Sequence, residues 1–176
     1  MDLHLEHTFA ADAEHFWAVV LLDPAYRDAL YRRLRLQIEH CSIDTQGSGS
    51  ELQLRRELHL TPQRELPSAL RQLVRGAALV KERAHFDARA AKMTIEIELP
   101  VIGAWVDFRG VYTWRMGGPA QLQRCWDAQC HARLPLVGRQ IEGYLLGEMR
   151  SSFEEAYRFT CEWLAQPAGG ERGAPT

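Results

Sequence analysis

The chain predicts an α+β fold: a curved antiparallel sheet of about seven strands wrapped around a long C-terminal helix, with two short helices after the first strand. Three observations predict it. Apolar residues alternate with polar ones at the N-terminus and again through the middle of the chain, in runs too closely spaced for crossover helices. A single helical stripe runs from Val137 to Leu164. The composition of the 176 residues, 46% hydrophobic and 25% charged, belongs to a soluble globular protein rather than a disordered, collagenous or disulfide-scaffold chain.

The first strand covers residues 2–10, with Leu3, Leu5, His7 and Phe9 on one side and His4, Glu6 and Thr8 on the other. Asp12 is an N-cap for a short helix bearing Phe16, Trp17, Val20 and Leu21. Asp23-Pro24 starts a second helix, a capping side chain followed by proline at the first helical position, which runs through Tyr26 and Leu30 to Arg33.

In the β-rich middle, Leu36, Ile38, His40 and Ser42 share one face, and the glycines of Gln46-Gly47-Ser48-Gly49-Ser50 form a turn. The return strand sets Leu52, Leu54, Arg56, Leu58 and Leu60 on one face, which makes the pair a hairpin. Residues 67–74 are predicted to form one or two helical turns. Further strands are predicted at Ala78–Phe86, Met93–Leu99, Val106–Trp114 and Gln121–Ala132.

The last element differs in period. Val137, Ile141, Leu145, Met149, Phe153, Ala156, Thr160 and Leu164 recur in steps of three and four, one face of a helix about 40 Å long. Residues 1–165 form one domain by this pattern, and 166–176, without apolar period, a disordered tail.

A sheet with one apolar face must bury it, and the final helix offers the longest apolar stripe. A twisted sheet cannot follow a straight rod evenly, so a gap is expected between them. Strand parity then names the lining: Leu36, Ile38, Leu52, Leu54, Val80, Ile95, Ile97, Phe108, Tyr112, Trp126, Ala128 and Cys130, closed by Ile141, Leu145, Met149 and Phe153.

His7, His40, Arg56, Glu82 and Arg124 interrupt that apolar parity. A buried charge requires a partner, and Arg56 and Glu82, on consecutive strands, make the simplest ion pair. Arg56 or Arg124 could otherwise meet a carboxylate or phosphate head group.

Other chemistry finds little support. Cys41, Cys125, Cys130 and Cys161 lack paired short spacing, so neither a zinc site nor a redox pair is indicated. No serine elbow or glycine-rich phosphate loop occurs, and no metal or cofactor is expected. The net charge of −2 gives no steer toward nucleic acid. Arg27, Arg32, Arg33 and Arg35 crowd a helix end, where cations complement the dipole. With neither an export signal nor an apolar run long enough to span a bilayer, the expected address is cytoplasmic, without integral membrane association. Nothing in the pattern sets an oligomeric state.

The element order resembles that of the START-like, or SRPBCC, superfamily of helix-grip proteins, over residues 2 to 164. Leu134-Pro135-Leu136-Val137-Gly138-Arg139-Gln140-Ile141-Glu142 and Thr160-Cys161-Glu162-Trp163-Leu164 resemble a bacterial branch known only as a domain of unknown function. Arg139 departs from it, standing where a second glycine is expected. The superfamily's lipid carriers, quinone-binding proteins, polyketide cyclases and hormone receptors share a cavity between sheet and helix.

The resemblance implies a hydrophobic small molecule or lipid as partner, and the inward parity assigns it to His40, Leu54, Arg56, Glu82, Ile97, Phe108, Tyr112, Trp126, Ile141, Leu145 and Met149. Binding without catalysis ranks first. A cyclase or dehydratase acting through His40, Glu82 or Tyr112 is the rival, and an interaction module with a filled core is the third reading.

Overall fold

The computed structural model describes residues 1–63, 79–100, 102–118 and 120–166. Strand β1, Asp2–Phe9, is followed by helix α1, Ala13–Trp17, a π-helical turn at Ala18–Leu22 and helix α2, Pro24–Arg33. Strands β2 (Leu36–Gln46), β3 (Gln53–Pro62), β4 (Val80–Asp87), β5 (Lys92–Glu98), β6 (Val106–Gly118) and β7 (Gln121–Ala132) come next, and helix α3, Gly138–Leu164, closes the chain. The helical turns expected at 67–74 and nearly all of the expected tail lie outside the described residues.

The capping chemistry explains the two-helix start. The Asp12 carboxylate accepts from the His15 amide at 2.9 Å, and that of Asp23 accepts from the Ala25 amide at 2.8 Å. Arg35, just past α2, takes a left-handed φ of 54° that turns the chain into β2.

All seven strands are antiparallel, in the order β1-β7-β6-β5-β4-β3-β2. Placing β1 beside β7 joins the two ends of the chain in one sheet. Helix α3 rests on β1 and β7, whereas α2 lies against β2 at the opposite margin.

The start of α3 is fixed on β7. Ala132 donates its amide to the Glu142 carboxylate at 2.8 Å, and a Cβ on Gly138 would stand 2.5 Å from the Ala132 carbonyl oxygen. Only glycine permits that approach. Farther along, the Tyr26 and Thr160 hydroxyls meet at 2.6 Å and tie α2 to the C-terminal part of α3.

One strand departs from its expected parity. A bulge between Ile38 and His40 shifts the β2–β3 register. Leu36 and Ile38 therefore share the inner face with Cys41 and Ile43, which pair with Leu58 and Arg56. His40 is turned outward, paired with His59 at a ring-centroid distance of 5.0 Å. Its expected inward position is corrected by that single extra residue.

At the β6–β7 junction the sheet is solidly filled. Gly110 leaves the space that the Trp126 indole occupies: a Cβ there would fall 2.1 Å from the ring. Gly110→Ala is expected to lower stability by about 1–3 kcal/mol through overpacking, read from a shift of the urea midpoint.

Candidate functional site

A cavity of about 290 Å³ lies between the inner face of β3–β6, helix α2 with the preceding π-turn, and helix α3. That volume stands at the small end of the roughly 300–1,000 Å³ typical of small-molecule sites. The sheet contributes Met93, Ile95, Ile97 and Phe108, the N-terminal helices Val20, Leu30 and Leu34, and α3 Leu145, Met149 and Phe153. Among these apolar walls stand Tyr26, Tyr31, Arg56, Glu82, Tyr112 and Arg124.

Of the residues singled out from the sequence, Arg56, Glu82, Ile97, Phe108, Tyr112, Leu145 and Met149 come together on this wall. His40, Leu54, Trp126 and Ile141 do not. His40 lies on the outer face. Leu54 is buried beside its β4 partner Phe86, against which Trp17 stands at 5.1 Å. Trp126 fills the notch at Gly110, and Ile141 is buried one turn past the point where α3 meets β7. These three face inward, but into solid core. Ile38, Leu52, Ala128 and Cys130 likewise lie off the wall.

The wall also contains residues that strand parity could not identify. Tyr26, Leu30 and Leu34 recur every fourth residue along and just beyond α2, a signal readable as an inward stripe. Tyr31, one step aside, joins the same face.

Arg56 and Glu82 form the expected pair: the Arg56 Nη2 donates to Glu82 Oε1 at 2.6 Å, with both side chains nearly buried. Burial opposes the charge on Arg56, but Glu82 more than offsets it, so its pKa lies above the usual value. The Tyr31 hydroxyl is pushed up by burial and then by Glu82. Burial likewise pushes Tyr112 up to about 12.

Arg124 is compensated differently. Its Nη2 donates to His7 Nδ1 at 3.3 Å, and its guanidinium lies over the rings of Phe153 at 4.3 Å, Phe9 at 4.9 Å and Tyr112 at 5.5 Å. A guanidinium only donates, so Nδ1 accepts and the other ring nitrogen of His7 donates to Glu154 at 3.2 Å. His7 is therefore neutral in this arrangement. Burial lowers its pKa, with Arg124 acting in the same sense and Glu154 against both.

Among the described residues, no group of three or more His, Cys, Asp or Glu is placed to hold a metal ion. None of the described helices is long and apolar enough to cross a membrane.

A curved antiparallel sheet holding a long C-terminal helix, with a hollow between them, is a helix-grip fold of the kind seen in START superfamily proteins. The chain belongs to DUF2505, a family described as proteins of unknown function, whose model matches residues 4–164. Among solved structures it is similar to the ZhuI aromatase/cyclase of Streptomyces sp. R1128, at 16% identity and a TM-score of 0.59, over 97% of this chain and 99% of that one. A truncated norcoclaurine synthase of Thalictrum flavum aligns at 15% identity and a TM-score of 0.60, over 95% of each chain. A START superfamily protein of Mycobacterium smegmatis aligns at 16% identity and a TM-score of 0.55, over 93% of this chain and 99% of that one. At such identities the likeness is one of fold. No curated protein matches the sequence.

Two outcomes follow from the buried charges. Glu82→Ala leaves Arg56 uncompensated and is expected to cost about 3–5 kcal/mol, whereas the double change Arg56→Met with Glu82→Leu costs far less; chemical denaturation of both variants checks this. The second concerns pH. Unfolded, His7 takes a proton at the ordinary histidine value; folded, only at lower pH. Between those values the unfolded chain holds the extra proton, so this contribution is whole above the ordinary value and falls away as pH drops through the interval. Against wild type, His7→Gln should flatten the fall in thermal midpoint as pH drops below the ordinary histidine value of about 6.5.

Proposed function

We propose that this protein binds a hydrophobic small molecule in the cavity between sheet, α2 and α3, as a carrier or sensor. The observation that carries this reading is the cavity itself: about 290 Å³ bounded by sheet, α2 and α3, with mainly aliphatic and aromatic walls. Empty apolar space costs stability that better packing would recover, so a hollow in an otherwise filled core favours an occupant. The START-like class supports the same conclusion by analogy of fold.

A cyclase-type enzyme is the second reading, favoured by Glu82 and Tyr112 on the wall and by the fold shared with an aromatase/cyclase. Glu82 is committed to Arg56, and Tyr112 keeps its proton up to about 12. His40 faces away from the cavity. Binding is the better account.

A neutral lipophilic dye such as Nile red should bind with one site per chain. Leu145→Trp, which projects a larger ring into the cavity, should weaken that binding at least about tenfold while the thermal midpoint holds. Unchanged dye affinity in this variant, or no dye binding by wild type, would count against the proposal.

A further inference from the structure

We infer that the ligand of this cavity carries a carboxylate, and that Arg124 and Tyr112 form the seat for it. The inference rests on the binding reading above and specifies the chemistry of the occupant.

Among the described residues three guanidinium groups line the cavity, and two are neutralised: Arg27 pairs with Asp28 and Arg56 with Glu82. Arg124 is 5% exposed, yet its partners are an imidazole nitrogen and three ring faces. No carboxylate among the described residues forms an ion pair with it. Glu154 engages the far side of His7 and is itself 48% exposed. Burying a charge on these terms is expensive, and burial accordingly lowers the Arg124 pKa. A leucine or methionine would fill the same inward position of β7 more favourably, so packing alone does not account for an arginine here.

Hydrogen bonding points the same way. Among the described residues, the buried side-chain polar atoms without a partner are all N–H donors, and those on the cavity wall are Arg56 Nε, Trp114 Nε1 and Arg124 Nε. Trp114 lies directly opposite Arg124 in the β6–β7 register. The protonated Tyr112 hydroxyl adds another donor two residues away on β6. This end of the cavity is rich in donors and poor in acceptors.

A group consisting only of acceptors and carrying one negative charge answers both deficits. A carboxylate meets a guanidinium in a planar, two-bond geometry and leaves a lone pair for the phenol. A phosphate dianion would exceed the one positive charge that Arg124 supplies. The apolar body of the same molecule would lie against Met93, Ile95, Ile97, Phe108 and Met149.

Matched probes test this. Decanoate against decanol, and 2-naphthoate against 2-naphthol, are titrated at pH 7.5 by calorimetry and by displacement of Nile red. In at least one pair the acid should bind about tenfold or more tightly than the alcohol. Arg124→Gln should erase that preference, lowering the acid's affinity far more than the alcohol's. Tyr112→Phe, which keeps the ring and its stacking, should reduce the preference several-fold and serves where Arg124→Gln does not fold. Equal affinities, a preference for the alcohols, a dye that no acid displaces, or a preference untouched by both substitutions would overturn the carboxylate assignment and leave the cavity reading standing. Absence of dye and probe binding altogether would overturn both.

Discussion

A straight helix laid on a twisted sheet can be in close contact along only part of its course, and the interior of this protein follows from that mismatch. Helix α3 is fixed at its start by the Gly138 approach to Ala132 and by Glu142 on the Ala132 amide. From there it runs over β1 and β7. The strands from β6 to β3 turn away beneath it, and α2 covers the far margin instead. The Tyr26–Thr160 hydrogen bond holds the two helices to each other, so the hollow under them has a fixed roof rather than a free one.

How the hollow is divided depends on a few residues of extreme size. Gly110 and Trp126 exchange volume across neighbouring strands, and Trp17 stands on Phe86. These contacts fill one part of the inner face and leave the stretch lined by Met93, Ile95, Ile97 and Phe108 open. Cavity and core are therefore continuous in chemistry and differ only in whether a second element arrives to fill the space.

That distinction explains what could be read from the sequence. Period-two alternation marks which side chains of β1 and β3–β7 face inward, because the pleat leaves no other choice. It therefore brings Arg56 and Glu82 together correctly, and the 3.6-residue stripe of α3 supplies Leu145 and Met149. Parity says nothing of whether an inward residue meets a void or a neighbour. Leu54, Trp126 and Ile141 depend on Phe86, Gly110 and the Gly138–Ala132 contact, partners remote in sequence or set by tertiary approach. His40 depends on one bulged residue. Its only trace in the sequence is the switch of apolar parity from Leu36 and Ile38 to Cys41 and Ile43, which a continuous alternation overlooks. The α2 contribution was visible as the spacing Tyr26–Leu30–Leu34, but assigning it to the cavity requires knowing where α2 lies.

The two inward arginines show how one side chain serves two ends in the same interior. Arg56 is half of an ion pair, so its charge is matched within the protein. Arg124 is held by an imidazole and by ring faces, which support a cation without cancelling it. His7 matters here because it is neutral: a protonated imidazole could not accept from the guanidinium, and the Glu154 carboxylate orients its tautomer from outside. The surroundings of Arg124 thus leave a positive charge uncancelled in an apolar space. At about 16% identity to solved relatives, fold alone says little about substrate or chemistry. Specificity must be sought in side chains such as this one, where local stability has been given up and the surrounding walls offer no reason for it.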